Sequence, residues 1–579
     1  MTTSQTKHCQ NCKKEFVIEP DDFSFYEKIK VPPPTWCLEC RLIRRFAWRN
    51  ERSLYKRVCG LCKRSIVAMY HEEEPFPVYC HDCWYSDKWD SLSYGTQYDF
   101  SKPFFIQWKE LFDRVPRLNL WQLDMVDSPY SNIVRGARNA YLSYSLVGEG
   151  GENIFYSKTV DASSNIFDCL GINNCENCYE NVHGAGNANS QYCVESRNNI
   201  DCHFLFDCRN CQNCVLSANL RNKRYMIRNK QYGKDEYFKE LGKLNFGSYG
   251  KREEIKKKFN GLILKALHKY ADIVKSVRTS GNYNANARNA VNCFNAGNVE
   301  NIKHCQRVVD LKDSYDVSYH INSELVYEYV SGGKNLQNTR FAMAAFDALT
   351  DIDYTDHCAS CSNLFGCVGV RNKRYCVLNK EYGKGEYGAL RIKIIEHMSK
   401  MPYVDSIGRL YSYGEFFPID LSPFGYNETI AQEHFPIDKK EAGDKGYRWR
   451  EKEKSQYNAT VGSGDLSDHI DDIQDSILKE IIICEHHEKN EHTAFCEANC
   501  TTAFKIMPLE LQFYRHKQIP VPRICPNCRH FERLRNITPF KLWHRRCMKP
   551  GCMNEFETPY APERPEIIYC ESCYNAEVV

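Results

Sequence analysis

CRNCQNCVLSANLRNKRYMIRNKQYGKDEY, residues 208–237, returns at an offset of 150 as CASCSNLFGCVGVRNKRYCVLNKEYGKGEY, residues 358–387. A stretch recurring at a fixed offset marks a duplicated structural unit. ARNA at 137–140 likewise returns at 287–290, so the duplication extends well upstream of the motif. Short strand-like runs recur at about 12-residue intervals within each copy. They start near Ala140, Ile154, Ile166, Cys178, Gln191, Ile200 and Arg224, and again near Ala290, Ile302, Tyr315, Leu325, Arg340, Ile352 and Arg374. Asn or Ser-Asn usually introduces them. Asn tolerates the left-handed backbone of tight corners, so strand plus Asn corner predicts a β-solenoid, with two small antiparallel sheets as the alternative.

CRNCQNC has the spacing of an iron–sulfur segment. The second copy argues against that chemistry, because Leu364 stands where Cys214 does. Aligning the Tyr-Glu pairs at Tyr179 and Tyr327 also sets Val326 against Cys178 and Ser323 against Cys175. These cysteines read as stacked core residues behaving as small hydrophobes. After the first RNKRY motif, Ile255, Phe259, Leu262, Ile263, Ala266, Leu267, Tyr270 and Ile273 recur at helical spacing and predict a helix packed on its own domain.

Outside the duplicated middle, Cys9 and Cys12 are followed by Cys37 and Cys40, then by Cys59 and Cys62, then by Cys80 and Cys83, with intervals of 24, 18 and 17 between successive hooks. The other end repeats this plan with the same 24, 18 and 17 intervals in Cys496, Cys500, Cys525, Cys528, Cys547, Cys552, Cys570 and Cys573. Paired hooks at this spacing converge four thiolates on one zinc ion. Intervening residues correspond too: Phe25 and Tyr26 with Phe513 and Tyr514, Pro32 and Pro34 with Pro520 and Pro522, Arg41 and Arg45 with Arg529 and Arg533. Four zinc ions are therefore expected. Four thiolates saturate each, which makes the metal structural rather than catalytic. A hook, an F-x-I strand, an FY pair and P-x-x-CxxCR, over about residues 5–45 and 494–533, resemble the treble-clef zinc ribbons of small bacterial proteins.

Composition supports a folded chain, with 42% hydrophobic and 26% charged residues, and 579 residues exceed one compact core. No stretch approaches the roughly 20 apolar residues needed to cross a bilayer, and the N-terminus has no signal-peptide core. A cytoplasmic protein is expected, whose 31 cysteines serve metal rather than disulfides. Net charge of only +3 excludes a global basic field, so any polyanion site is local. Arg41, Arg44, Arg45, Arg49 and Arg52 crowd one end and Arg529, Arg533, Arg545 and Arg546 the other, with Trp48, Tyr55 and Trp543 nearby. Guanidinium groups suit phosphate and aromatic rings stack on bases, so these arginines form a candidate nucleic-acid surface. Solvated faces or ion pairs are the competing reading.

Enzyme motifs fail. GKLNFGSYGKR at 242–252 lacks the phosphate-loop order, and in HHEKNEH at 486–492 His487 and His492 are five apart, not four. The latter reads as a solvated linker. Cys484 is an extra thiol, either buried or replacing Cys496 as a ligand.

The fold class expected is mainly β with some α: duplicated β-solenoid-like Cys/Asn-rich repeats flanked by treble-clef or zinc-ribbon modules. The division is a tandem zinc module with two sites at 1–95, a first repeat domain at 96–245, a helical connection at 246–279, and a second repeat domain at 280–390. A helix, irregular segment and polar linker follow at 391–475, then a second tandem zinc module at 476–579. These modules, the RNKRY motif, YGEFFPIDLSPFGYNETIAQEHFP and the YCESCYNAEV ending together resemble large zinc-ribbon proteins of candidate-phyla bacteria. The resemblance implies the architecture and no activity. The function expected is a non-enzymatic zinc scaffold binding RNA, DNA or a ribonucleoprotein. A protein-interaction scaffold using the solenoid faces is the alternative, and a carbohydrate-active enzyme rests on fold analogy alone.

Overall fold

The computed structural model describes residues 3–146, 151–343, 347–492, with 452–457 left out, then 496 and 499–579. Residues 452–457 of the expected linker, and 493–495 and 497–498 of the last module, lie outside the described residues.

A three-residue backbone rhythm organises both repeats. In NANARNAVNCFNAGNVENIK, Asn284–Lys303, the residues Asn286, Asn289, Asn292, Asn295, Asn298 and Asn301 all hold φ between 51° and 55°. That is the left-handed region, which asparagine tolerates better than most residues. The same every-third rhythm runs from Asn153 to Arg228 and from Tyr283 to Ser331, with glycine taking the corner at Gly171 and Gly186. Four such triplets advance the chain one step of a parallel register. Ile166 lies beside Cys178, Leu205 beside Ser217 and Phe294 beside Gln306, each pair separated by one such step. The step from Ser323 to Leu336 is one residue longer. The outcome in each half is a curled sheet of parallel strands, so the antiparallel alternative is not what these residues form.

The first residue of each triplet points inward, which explains the composition. Cys202, Cys208, Cys211 and Cys214 are buried and line one core. Their thiols donate to backbone carbonyls: Cys202 to the oxygens of Ile200 and Cys211, Cys208 to that of Phe206. Ser190 makes the same two bonds to Ala188 and Asn199, and the Asn187 amide donates to the Ser196 carbonyl. A buried carbonyl without a donor costs about 1–3 kcal/mol. Cys, Ser and Asn are interchangeable there because each is small and carries a donor. The middle cysteines are thus hydrogen-bonding residues as well as small hydrophobes.

Contacts group the chain into two units that do not follow its linear order. Unit 1 comprises residues 1–120, 271–450 and 540–542, and unit 2 comprises 121–270, 451–539 and 543–579. The N-terminal modules therefore belong with the second repeat, and the C-terminal modules with the first.

In unit 1, helix α1 (Pro20–Ile29) starts on a proline whose fixed φ suits the first turn and ends at Lys30 in the left-handed region. Helix α2 (Leu38–Phe46) begins immediately after Cys37. In unit 2 the matching helices are α3 (Pro508–Lys517), ended by left-handed Gln518, and α4 (Pro526–Leu534), which follows Cys525. The predicted helix after the first RNKRY motif spans Tyr249–Lys265 and stops short of its expected end. Leu267–Lys269 instead pairs as a strand with Ile567–Tyr569, because that edge satisfies its backbone better than another helical turn.

Candidate metal centres

In three groups the first hook sits in the turn of a hairpin and the second opens a helix, which brings four sulfurs to one point. Cys9, Cys12, Cys37 and Cys40 form one group, Cys59, Cys62, Cys80 and Cys83 a second, and Cys547, Cys552, Cys570 and Cys573 a third, all with ligand atoms within 4.8 Å of one another. Sulfur separations are 3.6 Å for Cys12–Cys37, 3.8 Å for Cys62–Cys80 and 3.9 Å for Cys552–Cys570. A disulfide would need about 2.05 Å, whereas a tetrahedron with sulfurs about 2.3 Å from a central zinc has edges of about 3.8 Å. The geometry fits a tetrahedral thiophilic ion. Arg64 bonded to Cys62 pulls that thiol down to about 6, toward the thiolate a metal needs.

The fourth group corrects the sequence reading. It consists of Cys484, Cys500, Cys525 and Cys528, with Cys484–Cys528 at 3.8 Å and Cys500–Cys525 at 3.9 Å. Cys484, carried in by the pairing of Ile482 with Phe504, takes the place expected for Cys496. Cys496 stands instead with His486, His492 and Cys528 in a fifth group. The stretch read as a solvated linker therefore supplies two imidazoles to a buried thiol. Facing Cys496 and Glu532, His486 is pushed up to about 10.

The candidate nucleic-acid residues are the second correction. Arg41, Arg44, Arg45, Arg49, Arg529 and Arg533 are buried, with Arg44 and Arg45 fully so. Arg41 and Arg45 both clasp Asp316, at 3.0 Å each. Arg44 bridges Glu328 at 2.9 Å and Glu415 at 2.7 Å while lying over the Trp36 ring. Arg49 pairs with Glu51 at 2.6 Å. Unit 2 repeats the device: Arg529 and Arg533 clasp Asp168 at 3.1 and 2.8 Å, and Arg533 reaches Glu180 at 3.3 Å. Asp168 and Glu180 stand one register step apart, as do Asp316 and Glu328, and all four sit at left-handed corners. Phe25 stacks on Tyr315 at 3.9 Å and Phe513 on Phe167 at 4.0 Å. These arginines are spent inside the fold, because a buried guanidinium requires a carboxylate and leaves nothing for phosphate. Arg52 and Arg545 are half-buried and Arg546 is exposed, pairing with Glu555.

Burial shapes these carboxylates differently. It pushes Glu328 and Glu180 up to about 7 despite Arg44 and Arg533. Burial also opposes ionisation of Asp316, yet Arg41 and Arg45 outweigh it and hold that carboxyl below its usual range.

The RNKRY arginines hold the outer module of each unit. Arg371 lies 4.7 Å over Trp84, the residue after Cys83, and Arg221 donates at 2.8 Å to the hydroxyl of Tyr574, the residue after Cys573. Sequence reasoning missed the acidic half of these clasps. Its signal was present in both copies as an aromatic-Asp pair followed one repeat later by Tyr-Glu: Phe167-Asp168 then Tyr179-Glu180, and Tyr315-Asp316 then Tyr327-Glu328.

No family model and no curated protein match the chain. A solved structure of a Desulfovibrio desulfuricans G20 protein described as a "putative acetyltransferase" aligns at 8% identity over 50% of this chain and 86% of its own, with a TM-score of 0.10. That likeness carries no argument about fold or activity. Among the described residues, no helix is long and apolar enough to cross a membrane.

Proposed function

We propose that this chain is a non-enzymatic, zinc-organised scaffold in which the terminal modules staple two β-solenoids, leaving the solenoid faces to bind a protein partner. The clasp of Arg41 and Arg45 on Asp316, mirrored by Arg529 and Arg533 on Asp168, carries this reading, because it turns the arginines inward. In this reading the hooks are treble-clef zinc ribbons, as in the large proteins of candidate-phyla bacteria that the sequence resembles, each zinc is structural, and the protein works in the cytoplasm. Pull-down from native extract with and without nuclease is the test. A stoichiometric protein partner that survives nuclease supports the proposal, and finding none overturns it.

Nucleic acid is the second reading, moved outward from the buried arginines. The hairpin strands Tyr55–Val58 and Trp543–Arg546 each set an aromatic ring beside cationic side chains that are half-buried or exposed: Lys56 and Arg57 in one, Arg545 and Arg546 in the other. Filter binding of RNA and DNA at low salt tests it. Retention lost in a K56A/R57A/R545A/R546A variant supports the reading, and no retention of any nucleic acid removes it.

A further inference from the structure

Cys528 belongs to two donor sets at once. One is Cys484, Cys500, Cys525 and Cys528, and the other is His486, His492, Cys496 and Cys528. Four thiolates saturate a tetrahedral ion, so the two imidazoles and Cys496 have no place on the first. Their own geometry is that of a second coordination sphere. Cys496 Sγ lies 3.6 Å from Nδ1 of His486 and 3.6 Å from Nδ1 of His492. The sulfur–nitrogen edge of a zinc tetrahedron, with bonds of about 2.3 and 2.0–2.1 Å, is also about 3.6 Å.

Two further observations point the same way. The other ring nitrogen of His486, Nε2, lies 3.6 Å from Glu532 Oε1 on α4. A carboxylate behind the distal nitrogen is the arrangement that fixes the tautomer and orientation of a metal-bound histidine. In addition, Cys484, Cys496, Cys500, Cys525 and Cys528 are all buried together. Five buried thiolates against one dication leave three uncompensated negative charges; against two dications they leave one. Burying uncompensated charge is costly, so the second ion is the favourable solution.

We propose that His486, His492, Cys496 and Cys528 hold a second zinc ion, and that the Cys528 thiolate bridges it to the ion held by Cys484, Cys500 and Cys525. Two nitrogens and two sulfurs suit zinc, and four protein donors leave no open position, so this dinuclear centre is structural. Its imidazoles fasten residues 486–492 to α4.

The inference rests on the four-thiolate groups holding zinc, and metal counting separates the two claims. Full-length protein produced with zinc and weighed by native mass spectrometry is expected to carry five ions. H486A/H492A and C496S are each expected to carry four, and C528S three. Four ions in the unsubstituted protein overturn the second site while leaving the four-thiolate groups intact; fewer than four overturn the reading on which it rests. Cadmium-113 NMR of the cadmium-loaded chain tests the bridge without any substitution that could unfold it. Two resonances split by one another are expected, and five unsplit resonances overturn the shared thiolate.

Discussion

Units 1 and 2 use one docking device and carry opposite charges at one position inside it. Both press an aromatic pair and two arginines from a terminal cysteine module onto an Asp and a Glu at repeat corners. In unit 1, the α2 position between the two arginines is Arg44, which reaches Glu328 and Glu415. The same position of α4 is Glu532, which turns to His486. Reversing one charge thus redirected a residue from clasping the repeat to backing a candidate metal ligand. Duplication preserved the face that had to fit the repeat and left the flank free to diverge.

Metal removal should separate the units most strongly. Structural zinc supplies on the order of 10 kcal/mol of folding free energy per site. We expect C40S to abolish amide-exchange protection in α1 and α2 of unit 1 and C528S in α3 and α4 of unit 2, while the other unit keeps its protection. Loss in both from either substitution would break the comparison.

The next largest effect belongs to the clasps. Removing one partner of a buried ion pair costs about 3–5 kcal/mol. D316A should loosen unit 1 and D168A unit 2 by that amount, read as unit-resolved exchange. Equal loss across both units from either substitution would show that the clasps are not independent.

Glu532 offers a smaller and sharper test. Loss of the carboxylate behind a metal-bound histidine lowers metal affinity about 10- to 100-fold. E532Q should weaken only the His486 ion in competitive chelation. An unchanged titration would reduce Glu532 to a surface charge.

The smallest effect is on pH dependence. Glu328 and Glu180 stand near 7 rather than the usual 4.5, so between those values the folded protein holds protons the unfolded chain has released. Their contribution is present in full below about 4.5 and lost as pH rises through 7. With zinc saturating, the melting midpoint should drop less between pH 6 and pH 8 in E328Q/E180Q than in the unsubstituted protein. Equal slopes would show that neither carboxyl titrates there.

Much of this was legible in the sequence because repetition left unambiguous marks. The offset of 150 located the repeats, and the 24, 18 and 17 intervals located the hooks. The period of the strands was readable, but its division into triplets was hidden, since Tyr192, Phe204 and Leu216 occupy left-handed corners usually given to Asn or Gly. The arginines misled for a definite reason. Charge pattern along a chain says which residues are cationic, whereas their fate depends on carboxylates far away, as with Arg45 and Asp316, 271 residues apart. Cys496 misled because interval counting assumed that hooks keep their partners. Cys484 stands too far before Cys500 for any hook spacing and becomes a ligand only through the strand pairing of Ile482 with Phe504.

The grouping of each terminal module with the more distant repeat has a consequence for synthesis. At roughly 5–20 residues per second, the 271 residues between Arg45 and Asp316 take on the order of 15–55 s to emerge. Throughout that interval the N-terminal module carries three clasp arginines with no acid to receive them, while the first repeat waits longer still for α4. Neither unit can close until its last segment leaves the ribosome, so both clasps form late and the separated segments must stay apart from other chains until then.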